Sequence, residues 1–119
     1  MGICFIKIEQ KMPLLRFKSV DQDKLVAIST KLVDELVEIV GSPRDYFSLE
    51  HIPSTFIMDG RIVKTNPIVE VAWFARTQEM QDKVAQCITN HLIKAGYLTV
   101  DVYFVKLKRE RYYENGEHF

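Results

Sequence analysis

The chain lacks net charge: 16 Lys and Arg offset 16 Asp and Glu over 119 residues. No long-range field draws it to nucleic acid or to an anionic membrane, so neither is an expected partner. Cysteine is scarce. Cys4 and Cys87 are too few for a disulfide framework and stand at no metal-ligand spacing. Cys87 falls in an apolar helical stripe and reads as a buried thiol of a reducing cytoplasm, which is the expected location. No apolar run approaches the roughly 20 residues that span a bilayer. The opening segment contains Ile-Cys-Phe-Ile but has no basic flank, long apolar core or small-residue cleavage site, so it is not read as a secretory signal. There is no glycine-rich phosphate loop, and His51, His91 and His118 are scattered. No cofactor and no metal is therefore expected.

What is present is an ordinary globular balance of 47% apolar and 27% charged residues. The length suits one core. Pro13 to Lys18 reads as a strand whose opening proline costs no ladder bond. Asp21 and Asp23 place negative charge where a helix begins. Leu25, Ile28, Leu32, Leu36 and Ile39 recur at helical spacing, Gly41 is a natural terminator, and Pro43 cannot continue the helix. Tyr46 to Ile52 predicts a second strand. Thr55 to Val63 predicts a hairpin turning on Asp59-Gly60. Pro67 opens the second half, with a strand over Ile68 to Ala75. Thr77 can cap a second helix, whose stripe is Met80, Val84, Cys87, Ile88, Leu92 and Ala95. Leu98 to Leu107 predicts a fourth strand. The remaining tail is polar and aromatic, with a turn at Asn115-Gly116.

The order predicts an α+β, two-layer fold. Two tandem β-α-β units form a four-stranded sheet with both helices on one face, plus a small hairpin and a C-terminal tail. Residues 1–12 read as an N-terminal extension to a single domain, 13–119, with halves 13–53 and 67–108. Period-2 alternation turns Leu15, Phe17, Phe47, Leu49, Val69, Val71, Trp73, Val100, Val102 and Phe104 toward the helices. The other face carries Leu14, Arg16, Ser48, Glu50, Glu70, Ala72, Phe74, Arg76, Asp101, Tyr103, Val105 and Leu107. So much apolar and aromatic surface predicts an oligomer, with Arg16, Glu50, Glu70, Arg76 and Asp101 paired across or beside its interface. The basic run Lys106 to Arg111 reads as a solvated edge strand rather than an RNA site.

Met12-Pro13-Leu-Leu-Arg-Phe opens a β-α-β half, and Gly41-Ser-Pro-Arg-Asp-Tyr46 links its helix to the next strand. These segments, with the element order, resemble the tautomerase superfamily, whose members include macrophage migration inhibitory factor, 4-oxalocrotonate tautomerase and 5-carboxymethyl-2-hydroxymuconate isomerase. The likeness runs from Pro13 to Lys108 and is nearest a bacterial branch. It implies a homotrimer and a keto-enol isomerase acting on a small α-keto or enol acid. Such enzymes use an N-terminal proline, freed by loss of the initiator Met, as general base.

Pro13 is the catalytic candidate that the resemblance implies, and only with a free N-terminus. A proline nitrogen acylated by Met12 is a tertiary amide without useful basicity. Two alternatives stand: a tautomerase whose physiological start is Met12, or a non-catalytic oligomeric binding protein whose Pro13 is blocked by the preceding residues, with a strand added over Ile3 to Ile8. The substrate-binding candidates are Arg16, Arg76, Tyr103 and Ser48. Ser48 falls near the position where 4-oxalocrotonate tautomerase has a substrate-binding arginine. Arg16 and Arg76 supply alternative cations, and each also reads as an interface ion pair. Tyr103 lines a pocket or packs in an interface.

Overall fold

The computed structural model describes residues 12–118, without the side chain of His118. The strand expected from Ile3 to Ile8 lies outside the described residues. Strand β1 (Leu14–Lys18) leads into helix α1 (Gln22–Val40) and then strand β2 (Ser48–Ile52). Two short strands, β3 (Phe56–Met58) and β4 (Arg61–Val63), form a hairpin. The second half is β5 (Ile68–Phe74), α2 (Gln78–Lys94) and β6 (Asp101–Leu107). A terminal pair, β7 (Tyr113–Glu114) and β8 (Glu117–His118), closes the chain.

The main sheet has the order β2-β1-β5-β6. Each β-α-β unit contributes a parallel pair, and the two units meet through an antiparallel β1–β5 seam. The register places Leu14 beside Ser48 and Ala72, and Arg16 beside Glu50 and Glu70. It also places Glu70 beside Tyr103, and Phe74 beside Leu107.

Local chemistry explains the element ends. The Asp21 carboxylate accepts the Lys24 N–H at 3.1 Å, and the Thr77 hydroxyl accepts the Met80 N–H at 3.1 Å, so each helix has a side-chain cap for an orphan donor. Helix α1 stops at Gly41 (φ 79°), where the N–H returns to the Val37 carbonyl at 2.8 Å. Asp59 and Gly60 both take positive φ, as the tight turn between β3 and β4 requires. Two boundaries differ from expectation by more than one residue. Strand β2 begins at Ser48 because Arg44–Tyr46 coil into a 3-10 turn. Strand β6 begins at Asp101, because the chain from Ala95 to Tyr97 turns back onto the end of α2 and leaves Leu98 94% exposed.

The core lies between sheet and helices. Leu15, Phe17, Val69, Val71 and Trp73 meet Leu25, Leu32, Leu36, Val84, Ile88 and Leu92, and the partly buried Phe47, Leu49, Val102 and Phe104 pack against them. Each large apolar side chain withdrawn from water contributes about 1.5–3 kcal/mol.

The opposite face of the sheet is only partly open. Ala72 and Phe74 were expected among its exposed apolar groups, yet each is 7% exposed. After β6 the chain makes a 3-10 turn over Arg109–Arg111 and returns across Phe74. The Arg109 guanidinium stands 4.8 Å above the Phe74 ring, and Tyr112 meets that ring edge-on at 5.7 Å. Tyr103 and Val105 remain exposed on the face, and Ile57, Met58 and Ile62 on the β3–β4 hairpin.

Candidate functional site

Pro13 sits at the N-terminal end of β1, fully buried, and its carbonyl accepts the Ser48 N–H at 3.1 Å. Met12, bonded to its nitrogen through a cis peptide, is 7% exposed. In the chain as it stands, this nitrogen is an amide. Ser48 is beside Leu14, half-buried, on the face away from the helices.

Arg16 lies one side-chain step further along the same face, roughly 7 Å from Leu14 at strand rise. Its Nε donates to Glu50 Oε1 at 2.9 Å, and its Nη1 lies 3.5 Å from Glu70 Oε2. The Tyr103 hydroxyl donates to Glu70 Oε1 at 2.7 Å. Glu50, Arg16, Glu70 and Tyr103 thus form one row across all four strands. This hydrogen bond, then burial and the Glu70 charge, raise the Tyr103 pKa, while Arg16 opposes them. Two carboxylates already hold Arg16, which makes it a poor free cation for a ligand. Arg16, Glu50 and Glu70, expected to pair across or beside an interface, pair with one another within one chain. Position alone did not reveal this, because the register was needed.

Arg76 is elsewhere. It follows β5 by two residues, and β5 runs antiparallel to β1, so Arg76 belongs to the Pro13 end of the sheet. Its Nη1 donates to the carbonyls of Phe74 (3.0 Å) and Ala75 (3.2 Å), and its guanidinium lies 5.6 Å from the Trp73 ring. Among the described residues no carboxylate pairs with it. Burial and then the charge of Arg109 lower its pKa from the ordinary arginine value. A cavity of about 350 Å³ opens there, lined by Phe74, Arg76, Lys106, Lys108, Arg109 and Glu110 among others. The basic run is therefore not a solvated edge strand throughout. Only Lys106 and Leu107 belong to β6, and the rest folds over the Pro13 end. The tyrosine pair Tyr112-Tyr113 directly after the cations of Lys106 to Arg111 was the available signal.

The four candidates thus divide. Ser48 is beside Pro13, Arg76 is at the same end, and Arg16 and Tyr103 form part of the mid-sheet row.

The remaining polar groups have structural work. His51 Nε2 is 2.8 Å from the Val20 carbonyl. His91 Nε2 is 2.9 Å from Glu35 Oε1. Cys87 joins them, with donor atoms of all three within 4.8 Å of one another. Burial, then the charge and hydrogen bonding of Glu35, push the Cys87 thiol up to about 12, so it is a protonated donor rather than a nucleophile. Another cavity, about 390 Å³, lies at the far end of the sheet, bordered by Ser19, Asp21 and Tyr97. Within it Ser19 Oγ lies 2.8 Å from Thr65 Oγ1, and the Asp21 N–H donates to the Tyr97 hydroxyl at 2.8 Å. Among the described residues no helix is long and apolar enough to cross a membrane.

A family model described as a domain of unknown function (DUF1904) matches residues 12–118. No curated protein sequence matches the chain. A solved structure of a DUF1904 domain from Sebaldella termitidis ATCC 33386 is 34% identical, with a TM-score of 0.84, over 91% of this chain and 100% of that one. A protein of unknown function from Vibrio cholerae O1 biovar eltor str. N16961 is 31% identical, with a TM-score of 0.79, over 100% of this chain and 98% of that one. A macrophage migration inhibitory factor-like protein from Entamoeba histolytica is 16% identical, with a TM-score of 0.67, over 91% of this chain and 99% of that one. At that identity the likeness is one of fold, and the fold is the one expected from the tautomerase resemblance.

Proposed function

The chain belongs to the family described as a domain of unknown function (DUF1904) and has the tautomerase fold, and on that premise we propose that it is a keto-enol tautomerase of a small α-keto or enol acid, with Pro13 as general base once Met12 is removed. The observation that carries this reading is the position of Pro13. It is buried at the end of β1, at the same end of the sheet as Arg76, a half-buried arginine that lines a cavity. Removal of Met12 converts the amide into a secondary amine. It also vacates the space that the Met12 side chain fills. Burial keeps such an amine neutral at a lower pH than water would. The amine takes the enol O–H proton, and the resulting ammonium returns it to carbon, so that enol becomes keto with no net change in protons. Arg76 steadies the acid group and the enolate charge. Ser48, beside Pro13, lines the approach.

On this proposal Met12 is the physiological start. Pro13 then opens a single domain, 13–119, that works in the cytoplasm as a homotrimer, with the exposed Tyr103 and Val105 covered by neighbouring copies.

The test compares three proteins on the enol–keto conversion of phenylpyruvate: one beginning at Pro13, one retaining Met12, and a Pro13→Ala variant of the first. Turnover is expected only from the first, with a loss of about 10²- to 10⁴-fold in the others. A verified Pro13 terminus with no turnover and no labelling by an acetylenic 2-oxo acid would sink the proposal.

The burial of both Met12 and Pro13 favours a second reading, a non-catalytic oligomeric binding protein with Pro13 permanently acylated. Mass spectrometry of the native N-terminus separates the two, because it identifies which nitrogen exists.

A further inference from the structure

Helices α1 and α2 belong to different β-α-β units and pack against each other over the sheet. Cys87 and His91 stand four residues apart on α2, so their side chains share one face of the helix, one turn apart. Glu35 of α1 meets them across the seam. His91 Nε2 is 2.9 Å from Glu35 Oε1, and a nitrogen, a sulfur and a carboxylate oxygen of the three residues lie within 4.8 Å of one another. Among the described residues no lysine or arginine pairs with Glu35. The Glu35 side chain is 53% exposed and that of His91 16%, whereas Cys87 is buried. The donors thus run from the solvent edge of the seam, where an ion can enter, down to a sulfur at its floor.

We infer that Glu35, Cys87 and His91 bind one zinc ion, which staples α1 to α2 and so ties the two halves of the chain together. Imidazole, thiolate and carboxylate are donors that zinc takes at about 2.0–2.3 Å, and a tetrahedral arrangement sets them roughly 3.3–3.8 Å apart. Side-chain rotation reaches that spacing: the nitrogen–oxygen pair opens by a few tenths of an ångström, and the sulfur closes by up to about 1 Å. The Cys87 S–H proton leaves to solvent as the zinc–sulfur bond forms, and His91 binds as neutral imidazole through the Nε2 that now faces Glu35. A buried thiol that stays protonated alone is ionised by a coordinated cation. One thiolate, one carboxylate and a divalent cation sum to zero, so the loaded seam holds no uncompensated charge. Water at the exposed mouth completes a four-coordinate shell. Magnesium and calcium, which take oxygen donors, fit this set poorly. Nothing in this site draws on Pro13 or on the tautomerase reading.

Cobalt(II), a coloured stand-in for zinc, tests the site. The untagged, metal-stripped full chain carrying Cys4→Ser is titrated with cobalt in an absorption cell, because Cys87 is then its only thiol. One cobalt per chain should bind with a cobalt–thiolate charge-transfer band, and zinc, but not magnesium, should bleach it. Cys87→Ala should abolish the band. Glu35→Ala and His91→Ala should each weaken cobalt binding about tenfold or more, with circular dichroism confirming the fold. Glu35 is an exposed residue, so its variant keeps the core intact even if Cys87→Ala does not. Zinc should also raise the melting temperature of the parent and leave that of Glu35→Ala far less changed, since an ion that binds only the folded chain stabilises it. The proposal is overturned by the absence of a thiolate band, by an affinity that either Glu35→Ala or His91→Ala leaves unchanged, by displacement with magnesium, or by a melting temperature that zinc does not move.

Discussion

The Tyr103 hydroxyl donates to Glu70 Oε1 at 2.7 Å across the β5–β6 pair, while Arg16 approaches the other oxygen of the same carboxylate at 3.5 Å. Glu70 is thus the common acceptor of a phenol and a guanidinium that come from different strands.

Tyr103 should therefore titrate above the usual phenol value, about 10. The folded-state pKa is raised, so the stabilisation is whole below about pH 10 and is lost as pH rises through the raised value. Tyr103 is 41% exposed, which keeps the contribution of this bond small. Tyr103→Phe should cost no more than about 1 kcal/mol near neutral pH. The difference between the ultraviolet pH titrations of the parent and Tyr103→Phe should isolate one late-ionising tyrosine. A midpoint for that tyrosine at or below the ordinary phenol value would contradict the assignment.

Arg16→Met should show that the row's inner and outer pairs are unequal. The Arg16–Glu50 pair is well exposed and contributes under about 1 kcal/mol. The Glu70 side chain is only 16% exposed, so stranding it without its cation costs about 1–3 kcal/mol. Urea unfolding should show this loss, and adding Glu70→Gln should recover part of it. Strict additivity of the two substitutions would mean that the pair is not coupled.

Cys87 should be chemically silent in the folded protein. Its thiol is buried and held protonated up to about pH 12. With Cys4→Ser in the background, a thiol reagent at pH 8 should label the chain only after denaturant is added. Rapid labelling of the native protein would show that the α1–α2 seam opens.

Phe17→Ala should cost about 3–5 kcal/mol, because the ring is wholly buried under both helices and its removal leaves a cavity there. Denaturant unfolding with an unchanged m-value is the expected form of the loss. A cost under about 1 kcal/mol would show that the core collapses to fill the space.

Much of this molecule follows from local rules that act within a few residues. Asp21 and Thr77 cap helices because each offers an oxygen to an N–H three residues on. Gly41 and Asp59-Gly60 take the left-handed backbone that ends a helix and turns a hairpin. Alternation turned Phe17 and Val71 toward the helices, and the sheet keeps them there. Those preferences determined the elements, the core face and the paired β-α-β plan. Alternation cannot say which residue stands beside which, since register is decided by long-range pairing and by how the whole core packs. Only tertiary structure set Arg16 between Glu50 and Glu70, and turned the basic tail back over Phe74. The same packing buried Pro13 and placed Arg76 at its end of the sheet, because β5 runs antiparallel to β1.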